Sequence, residues 1–220
     1  MAYGLYLNFE RLSMNIIENE ISNMTDDNII YHGDDCCDEL NERVFLNNLY
    51  HGVIVASHIV NLYETALNTI VGRRLRCTED EVLKTSHNVK LQLICTMYRT
   101  DLLAIKSDHN YGIVQSIIKL RNDITHYKSN EICEGIVVSS EVKMPRGTSK
   151  DPLAEMFTRS YMQKCYEGTL ALLSKICDNC GLALYKDCQI IDCDGRDLLC
   201  EFIVEKAVYD TSERLGAPHE

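Results

Sequence analysis

The chain has no apolar run of about 18 residues, the length a helix needs to cross a bilayer, so no membrane span is expected. Its opening, MAYGLYLNFERLSMNIIENEI, lacks the basic start of a secretion signal and carries acids throughout. These two absences point to a cytoplasmic protein. Positive charge is also scarce. There are 22 Lys and Arg against 33 Asp and Glu, giving a net charge of −11 and a pI of about 5.1. A general nucleic-acid coat is thereby excluded, because phosphate binding relies on Lys and Arg. A local basic cleft, or a basic partner for the acidic surface, remains compatible with that balance. No Walker loop and no dinucleotide-type glycine fingerprint occurs. There is no internal repeat or low-complexity segment, and His32, His51, His58 and His87 have no motif partner.

What is present is enough for a core: 45% of 220 residues are apolar, and the mean hydropathy of −0.17 fits a soluble chain. That length suits one domain, or one domain with an appendage. Eleven cysteines are many, but the number is odd and no secretion signal accompanies them. They read as reduced thiols that behave as small apolar residues, Cys95 and Cys165 inside helical patterns among them. Cys177, Cys180, Cys188 and Cys193 fall in a short span, and tetrahedral zinc accepts four thiolates. Strand alternation, however, puts Cys188 and Cys193 on opposite faces, so no metal is expected there. Nor does a βαβ context support a redox pair.

Taken in order, residues 3–24 read as a helix with Phe9, Leu12, Ile16 and Ile21 at near-helical spacing. Residues 25–39 are an acidic loop. Residues 42–75 form the longest periodic segment; Gly52 weakens it locally, and Arg73, Arg74 and Arg76 close it where cations suit the helix dipole. Thr78 and Glu81 make a capping box, which predicts a helix from there to about residue 98. Residues 107–112 read as a turn. Residues 129–151 hold Gly135, Pro145 and Gly147, a short β-like run over 135–142, and the basic side chains Lys143, Arg146 and Lys150. A connection that long inside a compact domain is either functional or a floppy link, and its cations offer phosphate contacts. Asp151-Pro152 signals a helix start, and Gly181 fits the residue just past its end. Residues 184–191 and 198–204 read as two strands around the turn signal Asp194-Gly195, and residues 210–220 as a frayed tail.

The most informative stretch is residues 113–128. Ile113, Val114, Ile117, Ile118, Leu120 and Ile124 mark one apolar stripe of a helix. The helix ends in Arg121-Asn122-Asp123-Ile124-Thr125-His126. Asn122 and His126 stand one turn apart on a polar side, and Arg121 projects roughly 140° from His126, near the stripe's edge. The plain alternative is a surface arginine and a capping histidine.

The run Arg121-Asn122-x3-His126, after an apolar helix and before Tyr127-Lys128, resembles the R-x4-6-H motif of the HEPN superfamily. Asn122 fills the polar place that directly follows the arginine in many members. The piece from Asn61 to Asn68, with Glu64 and Asn68 one turn apart, resembles the first long HEPN helix. The resemblance implies a mainly α fold, a HEPN-like antiparallel helical bundle, here with a C-terminal β-hairpin. Residues 1–41 would be an N-terminal helix and acidic loop, 42–180 the bundle, 181–209 the appended hairpin and 210–220 the tail. It further implies a homodimer and a metal-independent endoribonuclease of toxin–antitoxin or phage-defence type, with RNA as substrate and no cofactor. Catalysis would fall to Arg121, Asn122 and His126, and RNA contacts to Lys128, Lys143 and Arg146. The other reading in the family is a non-catalytic interaction or nucleotide-binding module that acts through an antitoxin or effector protein. Members regulated by tyrosine nucleotidylation carry the tyrosine two residues after the histidine. Lys128 holds that place here, which argues against that control.

Overall fold

A computed structural model describes residues 9–26, 39–75, 84–125, 156–184, 190–191, 197–198 and 202–206. Among these the chain is mainly helical. Six helices are described: α1 (Phe9–Ser22), α2 (Glu39–Leu75), α3 (His87–Tyr98), α4 (Leu102–Lys106), α5 (His109–Thr125) and α6 (Arg159–Asn179). Short strands follow, β1 (Leu182–Leu184), β2 (Ile190–Ile191), β3 (Asp197–Leu198) and β4 (Ile203–Glu205). The chain divides into two compact units, one of residues 16–60 and 113–167, the other of residues 1–15, 61–112 and 168–220.

In the first unit, Ile17, Ile59, Val114, Ile117 and Met162 are buried from four helices, the apolar faces that helical periodicity marks out. Polar side chains then tie the helix ends. The buried Asn48 amide acts on one backbone unit twice: Oδ1 accepts from Thr25 N at 2.9 Å and Nδ2 donates to Thr25 O at 3.0 Å. Arg159 donates to two carbonyls ending α1, Ile21 O at 3.2 Å and Ser22 O at 2.7 Å. Asp26 returns the favour at the start of α6 by accepting from Ser160 N at 2.7 Å. Each end thus satisfies groups the other helix leaves unpaired. Asn48→Ala leaves the Thr25 amide without this partner, while Thr25 O keeps the Arg159 amide at 3.1 Å, and the loss costs about 1–3 kcal/mol. Urea denaturation should show a lower midpoint at unchanged slope; an unchanged midpoint would mean water replaces the amide freely.

Gly52 does not weaken α2 visibly; the helix runs through it unbroken for 37 residues. Glycine is required there by close approach. A Cβ at position 52 would lie 2.4 Å from Phe157 Cδ1 and 3.3 Å from Met162 Cε.

In the second unit, Tyr63, Leu67, Leu91, Ile105, Leu172 and Phe202 are among the fully buried side chains. Three caps set its helix starts. Ser86 accepts from Val89 N at 3.4 Å, Asp101 from Leu103 N at 2.8 Å, and Asp108 from Asn110 N at 2.8 Å. The second oxygen of Asp108 meets Lys175 Nζ at 2.6 Å. Gly181 follows α6 at φ +69° and donates to Asp178 O at 3.1 Å, the left-handed close expected of that glycine. β1 pairs antiparallel with β4, Leu182 opposite Glu205, and β2 pairs antiparallel with β3, Ile190 opposite Leu198. The turn Asp194-Gly195 expected between two longer strands lies outside the described residues.

Several expectations are corrected. The helix expected from residue 78 to 98 is not continuous, because residues 84–86 are non-helical and Ser86 opens a fresh helix at His87. The Thr78–Glu81 box lies outside the described residues. Residues 109–112 are helix rather than turn, since Asp108 already satisfies the first amides. The helix expected from Asp151-Pro152 is interrupted at Phe157 and Thr158 and α6 starts afresh at Arg159, with Thr158 Oγ1 accepting from Tyr161 N at 3.3 Å, while the Asp151-Pro152 start lies outside the described residues. α4 was not anticipated; Asp101 supplies its cap.

The Lys175 ammonium, then the Asn110 amide, hold the Asp108 carboxyl below its ordinary value. A carboxyl depressed in the folded state contributes stability above its unfolded pKa and loses it as pH falls through the folded one. The wild-type melting temperature should therefore drop more steeply than that of Asp108→Asn below about pH 4, the ordinary Asp range. Parallel curves would show that the pair contributes nothing measurable.

Candidate functional site

The last turn of α5 carries Arg121 and Asn122, one turn beyond the buried Ile117 and Ile118 respectively. That placement leaves both side chains half-buried and sinks Arg121 Nε out of solvent. Asn122 is therefore less open than a residue on a purely polar face. Asp123 and Thr125 are exposed. Thr125 Oγ1 donates to Arg121 O at 2.9 Å and lies 3.3 Å from Asn122 O, the back-bond a threonine makes to the preceding turn of its helix. His126, Lys128, Lys143 and Arg146 lie outside the described residues. Of the six residues singled out from the sequence, the structure thus places Arg121 and Asn122 together on one turn.

Chemically, a half-buried guanidinium whose Nε is shielded has a restricted set of orientations, and its planar fork suits two oxygens of one phosphate or carboxylate. The amide of Asn122 adds a neutral donor and acceptor beside it.

Among the described residues the thiols show no comparable arrangement. Burial pushes Cys165 up to about 11 and Cys177 and Cys180 up to about 12, which keeps them protonated and poorly nucleophilic. Among the described residues, Cys95, Cys165, Cys177 and Cys180 form no disulfide. Among the described residues no group of three or more His, Cys, Asp or Glu side chains is placed to hold a metal ion. Cys188 and Cys193 lie outside them.

Two groupings were not legible in the sequence. Lys90 is 4% exposed, and burial lowers its pKa while the Glu64 carboxylate pulls the other way. Its place in the first turn of α3 is visible only once Ser86 is known to be the cap. Arg74 stands 5.8 Å from the ring centroid of Tyr98, across α2 and α3. The sequence alone accounts for Arg74 only through the helix dipole.

No helix among the described residues is long and apolar enough to cross a membrane. Comparison with protein-family models, with curated proteins and with solved structures found no match to this chain.

Proposed function

We propose that this chain is a metal-independent endoribonuclease of HEPN type, acting as a homodimer in a toxin–antitoxin or phage-defence setting. The observation that supports this reading most is the half-buried Arg121–Asn122 pair on the final turn of a helix, with His126 the next residue but three in sequence. The RNA 2′-OH attacks the adjacent phosphate, the 5′-oxygen leaves, and a 2′,3′-cyclic phosphate remains. His126 moves the proton, as an imidazole of ordinary pKa near 6.5 can at neutral pH. Arg121 stabilises the charge that grows on the phosphate. Asn122 orients the imidazole or donates to the phosphate, and Lys128, Lys143 and Arg146 contact the RNA backbone. Dimerisation concentrates cations that one chain of net charge −11 lacks.

A second reading, a non-catalytic module that docks a basic partner protein, draws on the acidic balance and on Leu46 and Tyr50, exposed one turn apart on α2. Incubation of total RNA with the protein in EDTA separates the two. Cleavage that disappears in His126→Ala supports the enzyme; intact RNA under every condition supports the module.

A further inference from the structure

We infer that Arg74, Tyr98 and Arg99, at the C-terminal ends of α2 and α3, form a binding surface for single-stranded RNA: a base stacks on the Arg74–Tyr98 pair, and the two guanidiniums take flanking phosphates. This inference rests on the reading of RNA as the substrate and adds a contact surface to it.

Three observations carry it. The first is the cation–aromatic pair. Arg74 is exposed, Tyr98 is half-buried, and 5.8 Å separates the guanidinium carbon from the ring centroid. A fixed ring partly open to solvent, with a planar cation against it, is the arrangement on which unpaired bases stack without sequence preference. Burial raises the Tyr98 pKa, so the phenol stays neutral and adds no charge to repel phosphate.

The second is uncompensated charge. In a chain with eleven excess acids, neither Arg74 nor Arg99 pairs with a carboxylate among the described residues. The acid nearest Arg99 in sequence, Asp101, is engaged as the cap of α4. Arg73 is anchored, its Nη2 donating to Ile203 O, which fixes the end of α2 that presents Arg74.

The third is backbone strain. Arg99 has φ 55°, the left-handed conformation, and is the non-glycine residue with positive φ among those described. Its amide closes α3 on Cys95 O. Glycine or asparagine normally takes that place, because a Cβ there costs roughly 1 kcal/mol. An arginine held in a conformation glycine would adopt more easily indicates that the side chain serves a purpose outside the fold.

The test uses the full chain and a fluorescein-labelled 12-mer of 2′-O-methyl RNA, which binds as RNA but lacks the attacking hydroxyl. Anisotropy is measured across a salt series in EDTA. Wild type should bind with a salt-dependent Kd. Arg74→Ala and Arg99→Gly should each weaken binding about 5-fold or more and flatten the log Kd against log salt slope by about 0.7, the loss of one phosphate contact on a single strand. Tyr98→Leu should weaken binding with the slope unchanged, as lost stacking does. Arg99→Gly is the sharpest variant, since relief of strain should leave its melting temperature equal or higher while affinity falls. Lys164→Ala, an exposed cation on α6, should bind as wild type does. No binding by wild type, wild-type affinity in all three variants, or an equal loss in Lys164→Ala would overturn the inference. Intact binding without cleavage of ordinary RNA would instead overturn the nuclease reading and leave this surface standing.

Discussion

Arg121→Ala should cut RNA at least about 100-fold more slowly than wild type, the usual cost of removing one donor aimed at a developing anion. Arg121→Lys should recover little of that loss, because an ammonium lacks the planar fork that grips two phosphate oxygens. The half-buried position of Arg121 makes the lysine variant the more telling one. It keeps the charge and most of the aliphatic stem, so a rate that stays low at an unchanged melting temperature isolates the loss of fork geometry. Full activity in Arg121→Lys would show that the side chain supplies only charge. Full activity in Arg121→Ala would remove it from catalysis.

Gly52→Ala should destabilise the fold by about 1–3 kcal/mol, the range for forcing one methyl into a packed core. For a chain of this size that corresponds to a melting temperature lower by roughly 3–10 °C. The cause is specific: the new methyl would sit 2.4 Å from Phe157 Cδ1, closer than any real contact, and Phe157 is 2% exposed with little room to move. Shortening the obstacle should restore much of the loss, so Gly52→Ala with Phe157→Leu should melt above Gly52→Ala alone. If Gly52→Ala melts above wild type, helix propensity outweighs the clash and the ring relaxes at no cost. Differential scanning calorimetry of the three proteins decides between these outcomes.

Gly52 also shows how far the sequence can be read. Apolar periodicity located α2 and α5 well, because burial of a stripe such as Val114, Ile117 and Ile118 is what holds a surface helix in place. The interruptions were harder. The Thr78–Glu81 box outshone Ser86, although only a short side chain reaching Val89 N distinguishes an interior serine from a cap. The turn expected over residues 107–112 is helical from 109, capped by Asp108, whose other oxygen meets Lys175, far away in sequence. The need for glycine at position 52 depends on Phe157, which no local pattern connects to it.

For the candidate site, the helical placement of Arg121 and Asn122 was readable from the sequence, and both lie on α5. Their partial burial depends on the helices around α5 and was not readable from spacing. The Arg74–Tyr98–Arg99 grouping was equally hidden. Its members come from two helices, and the clearest sign of it, a left-handed arginine, is a backbone property that composition and periodicity do not encode.

The ribonuclease reading is tested most directly by the chemistry of the cut ends. A 5′-labelled RNA should be incubated with purified wild-type protein and with His126→Ala in excess EDTA, and the products resolved by mass. Fragments ending in 2′,3′-cyclic phosphate with wild type, and uncut RNA with His126→Ala, are the predicted result. Fragments ending in a 3′-hydroxyl, equal cleavage by the variant, or no cleavage by wild type would contradict it.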